Sequence, residues 1–308
     1  MAKSFVDRLK TGEVLIADGA TATNYQQMGM AIGVAPEEWI LDQPGNVLGL
    51  HRAFIEAGSD IILTDTFGAT SLRLRESRYA GRTADLNRGA VALAREAAST
   101  RPGVLVAGSM GPTGMLMEPF GDLTPAAAAD AYAEQAAALS QAGADLLLLE
   151  TFFALDEARA AIDGVRRSSS LPLVVSFSFD RGTRTMMGLS PTQVIESIGP
   201  LEVAAIGANC GRSLEDMEHV VHEFAALEAG IPLWIKPNAG LPRMVGETAR
   251  YDMDPQEMAG SRGATSTRGP RSSGAAAGVL QSISAQSPTQ RGRPRALDHE
   301  RAPVAHGV

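Results

Sequence analysis

A single cysteine, Cys210, is all the thiol that this 308-residue chain holds. No internal disulfide can form, so the stapled small-domain class is excluded and a reducing, cytoplasmic setting is the expectation. No apolar run approaches the roughly 18 residues that a membrane-spanning helix needs. The opening MAKSFVDRLKTGEVLIADGA carries no long apolar core behind its charges, so no secretory signal is expected. Positive charge is not in excess: 27 Lys and Arg stand against 35 Asp and Glu, a net charge of −8. With a pI of about 5.2 this argues against a nucleic-acid footprint on the main body. No Gly-x-Gly-x-x-Gly turn follows the first apolar run, and no lysine follows the glycine clusters DGAT (18–21) and GSMGPTG (108–114) as in a P-loop. Both clusters read instead as tight turns that let a ligand approach the backbone.

What the chain does hold is apolar material, 44% of its residues. It is laid out in short runs: VLIAD (14–18), DIILTDTF (60–67), VLVAGSMG (104–111), DLLLLETF (145–152), LPLVVSFSF (171–179), EVAAIGANC (202–210) and PLWIKPNAG (232–240). Polar or glycine residues close each run, as they close a strand buried on both faces where it opens into a loop. Segments at helical spacing lie between them, at 46–57, 84–98, 123–142, 155–166, 191–198 and 214–228. Thr124 and Pro125 make an N-cap with proline at the first helical position, and Gly143 closes the same segment. Successive β-then-α units predict an α/β fold, a parallel sheet closed into a (β/α)8 TIM-type barrel, with an open doubly wound sheet as the alternative.

The pattern withholds the eighth unit. The barrel domain is expected over 1–259. From Gly260 the text turns to Arg, Ser, Gly and Pro with no helical or strand period, so 260–308 reads as a disordered basic tail. The first and seventh strands are then expected to keep unpaired edges.

Barrel enzymes place their chemistry at the C-terminal ends of the strands. There the runs supply Asp18, Thr64 and Asp65, Ser109, Glu150 and Thr151, Asn209 and Cys210, and Lys236 and Asn238. Singly, each has a plain structural reading. Cys210 reads as a small buried hydrophobe, Asp18 and Asp65 as turn caps, Glu150 as an arginine's partner and Asn238 as a turn residue after Pro237. Together, at successive strand ends, they predict one polar pocket containing a thiol, carboxylates and an amide.

The stretches LIADGATATNYQQMG, SDIILTDTFGAT, VAGSMGPTG, DLLLLETF, SFSFDRGTRTMMGLSP, IGANCG and KPNAGLP occur in this order. Between about residue 13 and residue 259 the chain resembles the homocysteine S-methyltransferases. That group contains betaine–homocysteine methyltransferase and the homocysteine domain of cobalamin-dependent methionine synthase. The resemblance implies a barrel in which Zn2+ binds three cysteine thiolates and then the homocysteine sulfur. A thiolate is thereby delivered at neutral pH to an activated methyl group, and methionine forms.

Residue by residue, Cys210 in GANC matches the first zinc ligand. Asp18 in ADGAT and Glu150 in LLETF match residues that help to bind homocysteine, Glu150 through its amino group. The amides near Gly19 and Ala20 match the loop that takes the carboxylate, and Asn209 beside the ligand is expected to orient the site. The resemblance leaves the methyl donor open between a betaine-type donor, methyltetrahydrofolate and a methyl-corrinoid protein. ATATNYQQMG and APEEW lean toward the betaine type. No cobalamin-binding domain is visible, so a corrinoid donor would come on a partner protein. Nucleic acid and membrane are not implied.

Three positions depart from the family. Ala22 stands where glycine is usual, and Asp65 stands where asparagine is usual, adding a negative charge near a thiolate site. The third departure is large. The other two zinc ligands of the family come from Gly-Gly-Cys-Cys-Gly at the end of the eighth strand, and that pair is absent here. Codons GGG GGC TGC TGC GGG read one base out of frame give Gly-Ala-Ala-Ala, which is the GAAA of residues 274–277. The stretch GPRSSGAAAGVLQSISA (269–285) is compatible throughout with GATIVGGCCGSTPEHIRA shifted in this way. A one-base frame slip near the codons for residues 259–261 is therefore the expectation. It leaves the chain one of three zinc ligands and no methyl transfer. The alternatives are a non-catalytic barrel that binds a sulfur amino acid or a partner protein, and a barrel that acts on another thiol such as selenocysteine.

Overall fold

The structure, a computed structural model, describes residues 3–238, together with the backbone of 243–245, 248–250 and 279–282. Seven strands fall inside the seven apolar runs: β1 (Ile16–Ala17), β2 (Ile61–Leu63), β3 (Leu105–Met110), β4 (Leu146–Phe152), β5 (Leu173–Phe177), β6 (Ala205–Cys210) and β7 (Leu233–Pro237). Each pairs in parallel with the next. Nearly all their side chains are buried, because one face looks into the barrel and the other is covered by helices.

The expected helices are present as α4 (Pro44–Glu56), α6 (Thr83–Ala98), α7 (Pro125–Gln141), α8 (Leu155–Ser168), α9 (Pro191–Ile198) and α10 (Leu214–Ala226). Four shorter ones were not anticipated: α1 (Phe5–Lys10), α2 (Ala22–Gln27), α3 (Trp39–Asp42) and α5 (Ser71–Leu74). Thr124 caps α7 by accepting the Ala127 N–H at 3.2 Å. Its alanines let α8 come very close: a Cβ on Gly164 would sit 2.2 Å from the Ala129 carbonyl oxygen, so only glycine is accommodated. At the N-terminal end of the barrel, Phe5 and Leu9 of α1 pack with Leu15, Ile61, Leu105 and Trp234.

The eighth position corrects the expectation that the first and seventh strands keep unpaired edges. An antiparallel pair, β8 (Arg243–Val245) and β9 (Thr248–Arg250), follows β7, and β10 (Val279–Ser282) then closes the barrel. Leu280 of β10 pairs with Trp234 of β7, and Gln281 pairs with Ile16 of β1, both in parallel. The reason is the slot itself: two flanking strands present unpaired N–H and C=O groups, and an extended segment of the same chain satisfies them. The frame-slip reading places the original strand before GAAA, whereas β10 follows it. Apart from β10, the tail expected over 260–308 lies outside the described residues, as do residues 239–242 of the KPNAGLP motif. Among the described residues no helix is long and apolar enough to cross a membrane.

Candidate active site

A cavity of about 460 Å3 opens where the C-terminal ends of β2, β3, β4, β6 and β7 meet the loop after β1. Its wall includes Gly19, Ala20, Thr64, Asp65, Ser109, Glu150, Thr151, Asn209, Cys210, Lys236 and Asn238. Of the polar residues expected at the strand ends, Asp18 alone is not in this wall.

Glu150 owes its place to a break in the ladder. Pairing between β4 and β5 shifts between Leu149 and Phe152, and Thr151 adopts a left-handed backbone with φ 65°. Such a bulge re-aims the side chains at a strand end. Among the described residues, Glu150 is bonded to the Ser109 hydroxyl at 2.5 Å. The arginine partner of the plain reading is not found there.

Cys210 ends β6 with φ 60°, a second left-handed residue. Asn209 links the two. Its Nδ2 donates to Thr151 Oγ1 at 2.7 Å and to Cys210 Sγ at 3.3 Å. Its Oδ1 accepts from Thr151 N at 2.9 Å and from the Ser176 hydroxyl at 2.6 Å. Strain of this kind persists where surrounding bonds over-determine it, and Asn209 supplies those bonds. Burial, and then the Glu150 carboxylate, push the Cys210 thiol above its ordinary pKa.

Asp18 sits behind the wall, almost wholly buried. One of its oxygens accepts the Leu63 N–H at 2.7 Å and the other takes Lys236 Nζ at 3.2 Å. Burial works against the Lys236 ammonium, but the Asp18 and Glu150 charges outweigh it and raise its pKa. Among the described residues the Gly19 and Ala20 amides have no acceptor. Ala22, the first residue of α2, also lines the cavity.

Asp65 is buried and accepts from the Tyr25 hydroxyl. Burial pushes its pKa up to about 7, against the pull of Tyr25, Thr21 and Lys236. Three further residues were not singled out from the sequence: Tyr25, Glu37 and Arg73. Tyr25 and Glu37 lie in the motifs ATATNYQQMG and APEEW, but nothing local marks a tyrosine or a carboxylate as buried. Glu37 accepts the Gly68 N–H, and a Cβ on Gly68 would come within 2.7 Å of that carboxylate. Arg73 lies 5.6 Å from the centre of the Phe67 ring and donates to the Pro112 carbonyl at 3.1 Å.

The donor set does not suit the zinc implied by the resemblance. Among the described residues no three His, Cys, Asp or Glu side chains converge as metal ligands. Apart from the Asn209 amide, the polar atom bonded to Cys210 Sγ is the Thr151 hydroxyl, at 3.9 Å. A tetrahedral thiolate site needs at least three such donors. What the cavity wall does carry is a carboxylate held by a hydroxyl, two amides without an acceptor among the described residues, an ammonium and a thiol.

The family model described as homocysteine S-methyltransferase matches residues 15–279. The chain is 31% identical over 262 residues to methionine synthase of Mycobacterium leprae (strain TN), and 32% identical over 262 residues to that of Mycobacterium tuberculosis (strain ATCC 25618 / H37Rv). Each match covers 80% of this chain, which spans only 22% of the length of those relatives. Among solved structures, it superposes on the metallated form of the homocysteine methyltransferase MmuM from Escherichia coli with a TM-score of 0.70 and 22% identity, over 90% of this chain and 93% of the other. The apo form gives 0.67 at 21% identity, over 93% and 95%. Those structural likenesses show the barrel fold.

Proposed function

Because the chain belongs to the homocysteine S-methyltransferase family, we propose that its cavity binds homocysteine, the acceptor of a methyl group in the formation of methionine. The observation that carries this reading is the pairing of Glu150, bonded to a hydroxyl, with the open amides of Gly19 and Ala20 in one cavity wall. Glu150 takes the substrate ammonium by a charge-assisted hydrogen bond. The amides take the carboxylate, and the sulfur points toward Cys210, whose backbone Asn209 holds in place.

The lining also bears on the donor. Among the described lining residues Phe67 is the one aromatic side chain, and the Arg73 guanidinium already lies over its ring. Quaternary ammonium groups are recognised by cages of several aromatic faces. Among the described lining residues no such cage is present, and the donor reading stays open between methyltetrahydrofolate, a methyl-corrinoid protein and the betaine type toward which the N-terminal motifs lean. A cytoplasmic setting, inferred from the single thiol, belongs to the same proposal.

Zinc chemistry is incomplete in this chain. Cys210 is its one thiol, and losing two of three ligands leaves weak metal binding. For the chain as written we expect homocysteine binding with little zinc and no methionine formation; that outcome would favour the second reading, a non-catalytic sulfur-amino-acid binder, over the methyltransferase. Titration calorimetry with L-homocysteine, metal analysis and a methionine-formation assay test both points. Binding with little zinc and no methionine is expected, and a form with the cysteine pair restored in frame should recover zinc and turnover. An active, zinc-loaded chain as written overturns the incomplete site, and absence of homocysteine binding overturns the function.

A further inference from the structure

We propose that Lys236 is the cation that binds the carboxylate of the amino-acid substrate, together with the Gly19 and Ala20 amides, and that Asp18 positions Lys236 rather than touching the substrate. The assignment rests on the homocysteine reading above. Lys236 lies in β7 on the cavity wall, with its side chain 14% exposed. An ammonium has three N–H donors. Among the described residues one of them is used, on Asp18 Oδ1 at 3.2 Å. A buried ammonium with donors left unused is costly, and an anionic acceptor removes that cost.

Asp18 cannot follow a ligand outward, because the Leu63 N–H holds its other oxygen at 2.7 Å. It immediately precedes Gly19 and Ala20 in the chain, and those two residues and Lys236 line the same cavity. One cation and two amides make a composite carboxylate site. Glu150 is the second acid whose charge Lys236 feels. A substrate α-carbon, which carries ammonium and carboxylate together, can therefore reach Glu150 with one group and Lys236 with the other. The other cation in the wall, Arg73, is already engaged by Pro112 and the Phe67 ring.

The test measures binding of L-homocysteine and of 3-aminopropanethiol, which is homocysteine without its carboxylate, to the full chain. Wild type should prefer homocysteine. Lys236→Met should weaken homocysteine binding roughly ten- to hundredfold, leaving 3-aminopropanethiol unchanged, while Lys236→Arg should recover part of the loss. Since Lys236→Met strands a buried carboxylate, the double variant Asp18→Asn/Lys236→Met removes the whole pair and should show the same selective loss. Equal weakening of both compounds in the variants overturns the role of Lys236 alone, and equal wild-type affinity for the two overturns the whole carboxylate site, Lys236 and the two amides together. Wild type binding neither compound overturns the homocysteine reading and this assignment with it.

Discussion

Asp60 and Asp145 stand at the N-terminal ends of β2 and β4, and Asp65 and Glu150 stand at the opposite ends of the same strands. At the N-terminal end, Asp60 accepts the Ile16 N–H at 3.0 Å and lies 3.5 and 3.7 Å from the guanidinium groups of Arg8 and Arg101. Asp145 accepts the Val106 N–H at 2.7 Å and pairs with Arg95 at 2.8 Å. At the cavity end, Asp65 has the Tyr25 hydroxyl and Glu150 the Ser109 hydroxyl. The acids at one end are neutralised by the protein's own arginines while they tie neighbouring strands together. Asp65 and Glu150 at the other end are held by neutral hydroxyls, with no arginine against them among the described residues, and on the proposed reading Glu150 is left to meet a ligand. Position along one strand thus separates stability from recognition, as it does in barrels generally.

The contrast is broken most directly by a crossed pair of substitutions. Glu150→Ala should lower homocysteine affinity roughly ten- to hundredfold with little change in melting temperature. Asp145→Ala should do the reverse: leaving the Val106 N–H without its acceptor costs about 1–3 kcal/mol of stability, with ligand affinity unchanged. Calorimetry and thermal melts of the two variants decide it, and equal effects on both measurements would erase the distinction.

Asp65 sharpens the contrast through pH. Its folded-state pKa is pushed up to about 7 from an ordinary value of 3.8, so between those values the folded chain binds more proton than the unfolded one. The stability it contributes is complete below about pH 4 and is lost as pH rises through 7. Asp65→Asn should flatten this fall, raising the melting temperature most at pH 8 and least at pH 4. A melting profile with unchanged slope would mean that the site is more open to water than its burial indicates.

The smallest effect is expected at Thr151. Glycine there relieves the left-handed backbone but gives up the hydroxyl that accepts from Asn209. The two changes oppose each other, and stability should move by less than about 1 kcal/mol. Homocysteine affinity should fall modestly as Asn209 loses one of its anchors.

Much of the barrel was legible because burial along a strand or helix is a local pattern. LLLLETF holds β4 and LVVSF is β5, and the segment 191–198 is helical as its spacing requires, with Ser190 and Gln193 forming a capping box at its start. The eighth strand was not legible. VLQS has no flanking pattern to mark it, and it is a strand because β1 and β7 leave a slot of unpaired backbone groups beside them.

The candidate site divides in the same way. Family motifs bring forward Asp18, Glu150, Asn209 and Cys210 one by one, since each lies within a few residues of a recognisable strand end. They do not reveal that Asp18 is held by a lysine 218 residues away, or that the Asn209 side chain fixes Thr151 across 58 residues. The sequence by itself determined the order of strands and helices and the chemical types at the barrel mouth, because both follow from short-range periodicity and turn residues. The tertiary structure alone decided which charge meets a partner and which meets the cavity. That depends on the register between strands and on the bulge after Leu149, and both are set by closure of the whole barrel.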